Sequence, residues 1–206
     1  GLPSDTTKPI RWAIANFEAR AGDKLVLVRG PGASRSAGLG QIGTETDAGV
    51  VVDTGAVRFS VPRDRFAPLS GFTRRVADAA GRETVLEPLA ASGLDVVMVN
   101  AEPEDPEREE TAVVDRTYRL SWGAPDIVRL EENGPVRAVV LVRGRFAAQD
   151  GTPLLKGFIG YTLRITADRG SGLVNTTFTL ENNGQYGPPS EPSISRSTPK
   201  WLHIRR

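Results

Sequence analysis

Cysteine is absent from the 206 residues, which excludes a disulfide framework, a thiolate nucleophile and a Cys-based zinc site. Histidine occurs once, as His203. A transition-metal site would therefore need carboxylates gathered from scattered loops, and only a hard cation such as calcium suits the oxygen ligands on offer. No G-x-S-x-G elbow accompanies His203, so a Ser-His-Asp hydrolase finds no support. Long apolar runs are missing too. Val96 to Val99 and Ala138 to Val142 fall far short of the roughly 18 residues a membrane-spanning helix needs, so no membrane span is expected. Nor is there an excess of either charge: 26 basic residues against 25 acidic ones give a net charge of +1. Such a chain has no long-range field to gather nucleic acid or an anionic membrane, and no nucleic-acid partner is expected. The sequence opens at Gly1-Leu2-Pro3 without a charged segment or an apolar signal core, so either the chain stays in the cytosol or a leader has been removed, and the second is the expectation.

What is present points to strands. Hydrophobic residues make up 39% and charged residues 25%, the composition of a folding chain. With 22 glycines and 15 prolines the chain is rich in turns, and arginine outnumbers lysine 22 to 4. Segment after segment alternates with period two, with β-branched residues at strand positions. The expected fold is all-β, an antiparallel β-sandwich with a partial barrel or an extra hairpin at its N-terminus.

Ile10 to Glu18 and Lys24 to Arg29 flank the turn Ala21-Gly22-Asp23 as a first hairpin with two apolar faces. From Gly30 to Gly43 five glycines stand among Ser, Ala and Pro, a linker with too little apolar area to form an element. A boundary at residue 45 follows, with 1–45 as hairpin and linker and 46–206 as the sandwich. Val50-Val51-Val52, the turn Asp53-Thr54-Gly55 and Ala56 to Val61 predict a hairpin with Val57, Phe59 and Val61 inward and Arg58 and Ser60 outward. Pro62 ends it. Phe72 to Ala77 and Thr84 to Leu86 predict another hairpin, and Leu94 to Asn100 a buried strand of nearly continuous apolar character. Val113 to Ser121 follows as a further strand. Ile127 to Glu131 and Val136 to Phe146 flank Asn133-Gly134, which predicts a type I′ turn, with Gly144 as a candidate bulge. Gln149-Asp150-Gly151 turns the chain into a strand from Leu155 to Thr166, and Leu173 to Leu180 is expected beside it.

Several motifs carry chemistry elsewhere. Gly38-Leu39-Gly40-Gln41-Ile42-Gly43 matches G-x-G-x-x-G, but that fingerprint needs a helix opening at its last glycine, whereas Thr44 to Gly49 leads into a valine-rich strand. No cofactor is expected. Asp53-Thr54-Gly55 has the form of an aspartic-protease triplet, in which two carboxylates share one proton; a single copy requires a retropepsin-like dimer, and the competing assignment is a turn capped by Asp53. Glu102 to Glu110 holds six acidic residues and one arginine without regular ligand spacing, as a solvated loop does. Glu131 and Glu132, adjacent on a strand, point to opposite faces and cannot flank one glycosidic bond. Arg137, Arg143, Arg145 and Arg164 can present guanidinium forks to uronate carboxylates on a sheet face, or only solubilise that face. Arg196, Trp201 and His203 form the candidate carbohydrate-binding patch, with Trp201 either a stacking ring or a side chain that closes the core. No catalytic residue and no metal ligand is assigned.

Four stretches in order carry a family resemblance: Arg11-Trp12-Ala13-Ile14-Ala15-Asn16-Phe17-Glu18-Ala19, Val50 to Val61 with its V-D-T-G-A-V-R-F core, Glu131-Glu132-Asn133-Gly134-Pro135-Val136-Arg137-Ala138-Val139-Val140, and Tyr161-Thr162-Leu163-Arg164-Ile165. Together they resemble the rhamnogalacturonan exolyase family known as PcRGLX/YetA-like. The resemblance implies a secreted or periplasmic protein in three parts, a RIFT-type barrel, a β-sandwich and an α/α toroid holding much of the catalytic cleft. Only the barrel's end and the sandwich's beginning are matched, which makes residues 1–45 a barrel remnant. Lyase chemistry needs a base for the proton beside the uronate carboxylate and a cation to quench that carboxylate, and neither is matched here. The functional expectation is a non-catalytic or accessory β-sandwich portion of a secreted carbohydrate-active protein. Its partners would be an acidic polysaccharide and the rest of a larger polypeptide, with β-elimination carried out elsewhere. The alternatives are a dimeric retropepsin-like protease using Asp53 and a stand-alone glycan-binding module.

Overall fold

The structure is a computed structural model and describes residues 40–77, 83–86, 95–103, 113–157 and 159–182, with Phe17, Ala19 and 21–24. The expected first-hairpin strands, the acidic loop beyond residue 103 and the segment 183–206 lie outside the described residues.

Among the described residues the protein is all-β, built from antiparallel ladders. A five-stranded meander comprises β1 (Gly43–Thr46), β2 (Gly49–Asp53), β3 (Val57–Pro62), β4 (Ser70–Ala77) and β5 (Glu83–Leu86), paired in chain order. A two-stranded ribbon follows, β6 (Val97–Pro103) with β7 (Val113–Arg119). The second meander has four strands, β8 (Ile127–Asn133), β9 (Arg137–Arg145), β10 (Ile159–Asp168) and β11 (Val174–Asn182), again paired in order. The only helical element described is a short 3-10 turn, Leu154–Gly157. β1 includes residue 45, where the sequence suggested a domain boundary.

The core lies between the two meanders. Val50 and Val52 stand opposite Val61 and Phe59, and the inward set Val57, Phe59 and Val61 is buried as the alternation predicts. From the second sheet come Ile159, Tyr161, Leu163, Ile165 and Ala167 of β10, with Ala138, Val140 and Val142 of β9. Full burial of each larger side chain stabilises by about 1.5–3 kcal/mol before entropy is charged against it. Tyr161 is the centre of an aromatic cluster, edge-on to Phe66 at 5.3 Å and Phe146 at 6.2 Å and stacked on Phe178 at 6.0 Å. Its cross-strand partner is Gly144. A Cβ there would sit 2.7 Å from the Tyr161 hydroxyl, so this glycine makes room for the ring and is not a bulge.

Three other expectations are corrected. The β8–β9 connection is not a type I′ Asn-Gly turn, because neither Asn133 nor Gly134 has a positive φ. Such a turn would draw on the N–H of Pro135, which proline lacks. The loop closes two residues later, where Gly134 N–H donates to the Arg137 carbonyl at 2.8 Å. The bulge of this hairpin lies in β8, between Leu130 and Glu132, leaving Glu131 as the extra residue. Leu94 to Asn100 is not buried on both faces: Val97 is 46% and Val99 61% exposed, because β6 belongs to a two-stranded ribbon with only the Met98 side against the core. Finally, β10 begins at Ile159, since Leu155 takes a φ of 46° inside the 3-10 turn and cannot extend a strand.

The meanders are tied at two places. Along one edge, the Asn133 side chain accepts from Gly43 N–H (3.1 Å) and donates to Gly43 C=O (2.9 Å), while Glu45 accepts from Leu130 N–H (3.2 Å). At the other, the buried Thr54 hydroxyl reaches the Ser171 carbonyl at 3.0 Å and the Thr54 carbonyl accepts from Gly170 N–H at 2.7 Å. Both contacts join turns or edges that alternation alone leaves free.

Candidate functional site

Arg196, Trp201 and His203 lie outside the described residues. The remaining candidates are placed, and most are engaged with neighbouring side chains. Asp53 caps its own turn, accepting from Gly55 N–H at 2.9 Å, with Gly55 at a φ of 90° that favours glycine. Arg75 grips the same carboxylate with both terminal nitrogens, at 2.9 and 3.1 Å. The hydrogen bonds from Arg75 are the main reason the Asp53 carboxyl lies below its ordinary range, with the Gly55 amide adding to the effect against a partial desolvation. Proton sharing between twin carboxylates needs a group that protonates readily, and Arg75 makes Asp53 do so less readily.

The four strand arginines form ion pairs across the outer face of the second sheet. Arg137 meets Asp168 at 2.7 Å, Arg143 meets Glu181 at 3.0 Å, Arg145 meets Asp126 at 3.5 Å and Arg164 meets Glu131 at 2.6 Å. Arg164 is bidentate, since its second nitrogen reaches the other Glu131 oxygen at 3.1 Å. The guanidinium forks, weighed in the sequence either as uronate contacts or as a solubilising face, are thus turned toward acids of the same chain. Among the described residues no group of three or more acidic or histidine side chains is arranged to hold a metal ion. No helix there is long and apolar enough to cross a membrane.

An open cleft of ≈ 320 Å³ lies at the end of the β6–β7 ribbon, lined by Asp115, Arg116, Thr117, Trp122, Ala148, Gln149 and Asp150. Three pieces of chain build it. β7 provides Asp115 to Thr117. The turn after β7 provides Trp122, closed by Gly123 N–H donating to the Leu120 carbonyl at 3.2 Å and pinned by Asp95, which accepts from Ser121 N–H (3.1 Å) and Ser121 Oγ (2.8 Å). The third piece is the Ala148–Gly151 turn, in which Gly151 has a φ of 85° and donates to the Ala148 carbonyl at 2.9 Å. Arg119 and Ala147 exchange both backbone hydrogen bonds, at 2.8 and 3.1 Å, and so weld the first two pieces to the third. Gly123 allows the close approach, because a Cβ there would lie 3.3 Å from that of Ala147.

Trp122 is 38% exposed, so part of its indole reaches solvent beside the cleft. The Arg119 guanidinium stacks 5.4 Å from its ring centre, and the Arg119 fork is tied to Asp95 at 3.4 Å. Arg116 bridges the cleft to the Asp150 carboxylate. The Thr152 amide at 2.9 Å and Arg116 both hold the Asp150 carboxyl below its ordinary range, the amide being the larger influence. Asp150 is therefore an ionised acceptor near neutral pH and a poor proton donor. The arrangement offers a flat apolar surface beside planar hydrogen-bonding groups.

The sequence reading missed Trp122. Its signal is local: Ser121-Trp122-Gly123 places a large aromatic between small residues at a strand end, off the alternation and without a core position to fill. Gln149 and Asp150 were legible only as a turn.

No family model matches the chain, and no curated protein matches it.

Proposed function

We propose that the chain is a non-catalytic, glycan-contacting β-sandwich portion of a secreted or periplasmic carbohydrate-active protein of the rhamnogalacturonan-lyase kind, with β-elimination carried out elsewhere in a larger polypeptide. The observation that supports this reading is the exposed Trp122 in an open cleft with Asp115, Arg116, Gln149 and Asp150. A pyranose ring is amphipathic, with C–H groups on its faces and hydroxyls around its rim, so it binds where an aromatic surface adjoins planar polar side chains. The cleft is open, which suits a polymer that must pass through it. The same observation favours the stand-alone glycan-binding reading, in which this chain needs no companion to hold its ligand.

One experiment addresses both halves of the proposal. Incubated with rhamnogalacturonan, the chain should be retarded in affinity electrophoresis through gels containing the polymer, while ultraviolet absorbance from unsaturated uronate stays flat. Rising absorbance with this chain alone would overturn the non-catalytic half, and unretarded migration would overturn glycan contact.

A further inference from the structure

Glycan contact leaves open which unit of the polymer the cleft takes. The charges lining it decide this. Arg116 is held by Asp150 across the cleft, so the one cation lining it among the described residues already faces a carboxylate of the same chain. Arg119, which stacks on the indole, is tied to Asp95. Asp115 is exposed on the cleft wall and, among the described residues, has no ion-pair partner. A ligand carboxylate entering here would meet the Asp115 carboxylate and one arginine already held by Asp150, and would gain no bidentate fork. A hydroxyl meets the opposite situation, because the Asp115 or the Asp150 carboxylate can accept from it and the Gln149 amide both donates and accepts.

The apolar surface agrees. With one face of Trp122 under Arg119, the exposed remainder of the ring borders the cleft. Stacking there is driven by burial of sugar C–H groups and draws nothing from a carboxylate. At ≈ 320 Å³ the cleft is at the lower end of the roughly 300–1,000 Å³ common for small-molecule sites, room for an individual sugar unit and not for a long segment.

Resting on the glycan-contacting reading above, we propose that this cleft binds an uncharged pyranose unit of the polymer, a neutral sugar or an esterified uronate, in preference to a free uronate. Trp122 is the stacking surface, and Asp115, Gln149 and Asp150 hold the hydroxyls.

The test compares α-1,4-linked tetragalacturonate with its fully methyl-esterified form, which share ring and linkage and differ in charge. Calorimetric titration of the intact chain should give an affinity roughly tenfold higher for the ester. Trp122→Ala should abolish measurable heat with the circular dichroism unchanged, and Asp115→Asn, at an exposed position, should narrow the ester's advantage several-fold. Tighter binding of the free acid would overturn the preference while leaving glycan contact intact. Binding of both forms unaltered by Trp122→Ala would overturn the cleft as the site. Absence of heat with both forms and with rhamnogalacturonan fragments would overturn the proposal and the glycan-contacting reading together.

Discussion

Gly144 faces the Tyr161 ring across the β9–β10 ladder, and the absent methyl group sets how the aromatic cluster fits. Gly144→Ala forces a Cβ to 2.7 Å from the hydroxyl and 3.0 Å from two ring carbons, so the ring or the ladder must shift. Overpacking of this kind costs about 1–3 kcal/mol. Urea unfolding should show that loss, and Tyr161→Phe in the same background should recover part of it by removing the nearest atom. An unchanged midpoint for Gly144→Ala would mean that the ring moves freely. The triplet Asp53-Thr54-Gly55 illustrates the same scale differently. Its acid, the residue that suggested catalysis, is a turn cap gripped by Arg75, while the buried Thr54 ties one meander to the other.

At the scale of elements, strands and their inward faces were mostly legible, while their connections were not. Val57 to Val61 and Leu163 to Ile165 alternate cleanly because a half-buried strand buries every second side chain. The Asn133-Gly134 pair misled because Pro135 follows it and lacks the backbone N–H that such a turn needs. Asn133 instead holds the β1–β8 edge. Asn133→Ala removes three side-chain hydrogen bonds from this edge. It should cost on the order of 1–2 kcal/mol. Amide hydrogen exchange should quicken over β1 while β9 and β10 keep their protection; unchanged exchange over β1, or loss of protection across the whole molecule, would contradict this role. Leu94 to Asn100 failed for a different reason, since a continuous apolar run looks the same whether one face or both are covered.

For the molecule as a whole, acid sensitivity follows from its ion-paired surface. Asp53, Glu45 and Glu131 are all held below their ordinary values, chiefly by hydrogen bonds from Arg75, Arg63 and Arg164 respectively. Each folded value lies below the unfolded one, so the stabilisation is present above about pH 4.5 and is lost as pH falls through the folded values. All three side chains are about a third or more exposed, and salt weakens each contribution. The urea midpoint should be lower at pH 3 than at pH 7, and the double variant Asp53→Asn, Glu131→Gln should narrow that gap. A midpoint that rises toward pH 3 would refute the sign.

Alternation, turn residues and composition determined the class of this protein on their own, because pleated strands and a water-excluding core write a period of two directly into the chain. They also determined that Val57, Phe59 and Val61 face inward. Which acid answers which arginine was decided only in three dimensions, since Arg164 meets Glu131 by way of strand order and a bulge. The Trp122 cleft belongs wholly to that second category. Asp115, Trp122 and Asp150 are brought together by the Arg119–Ala147 bridge, a long-range backbone contact whose position depends on how the ribbon packs and not on any local pattern.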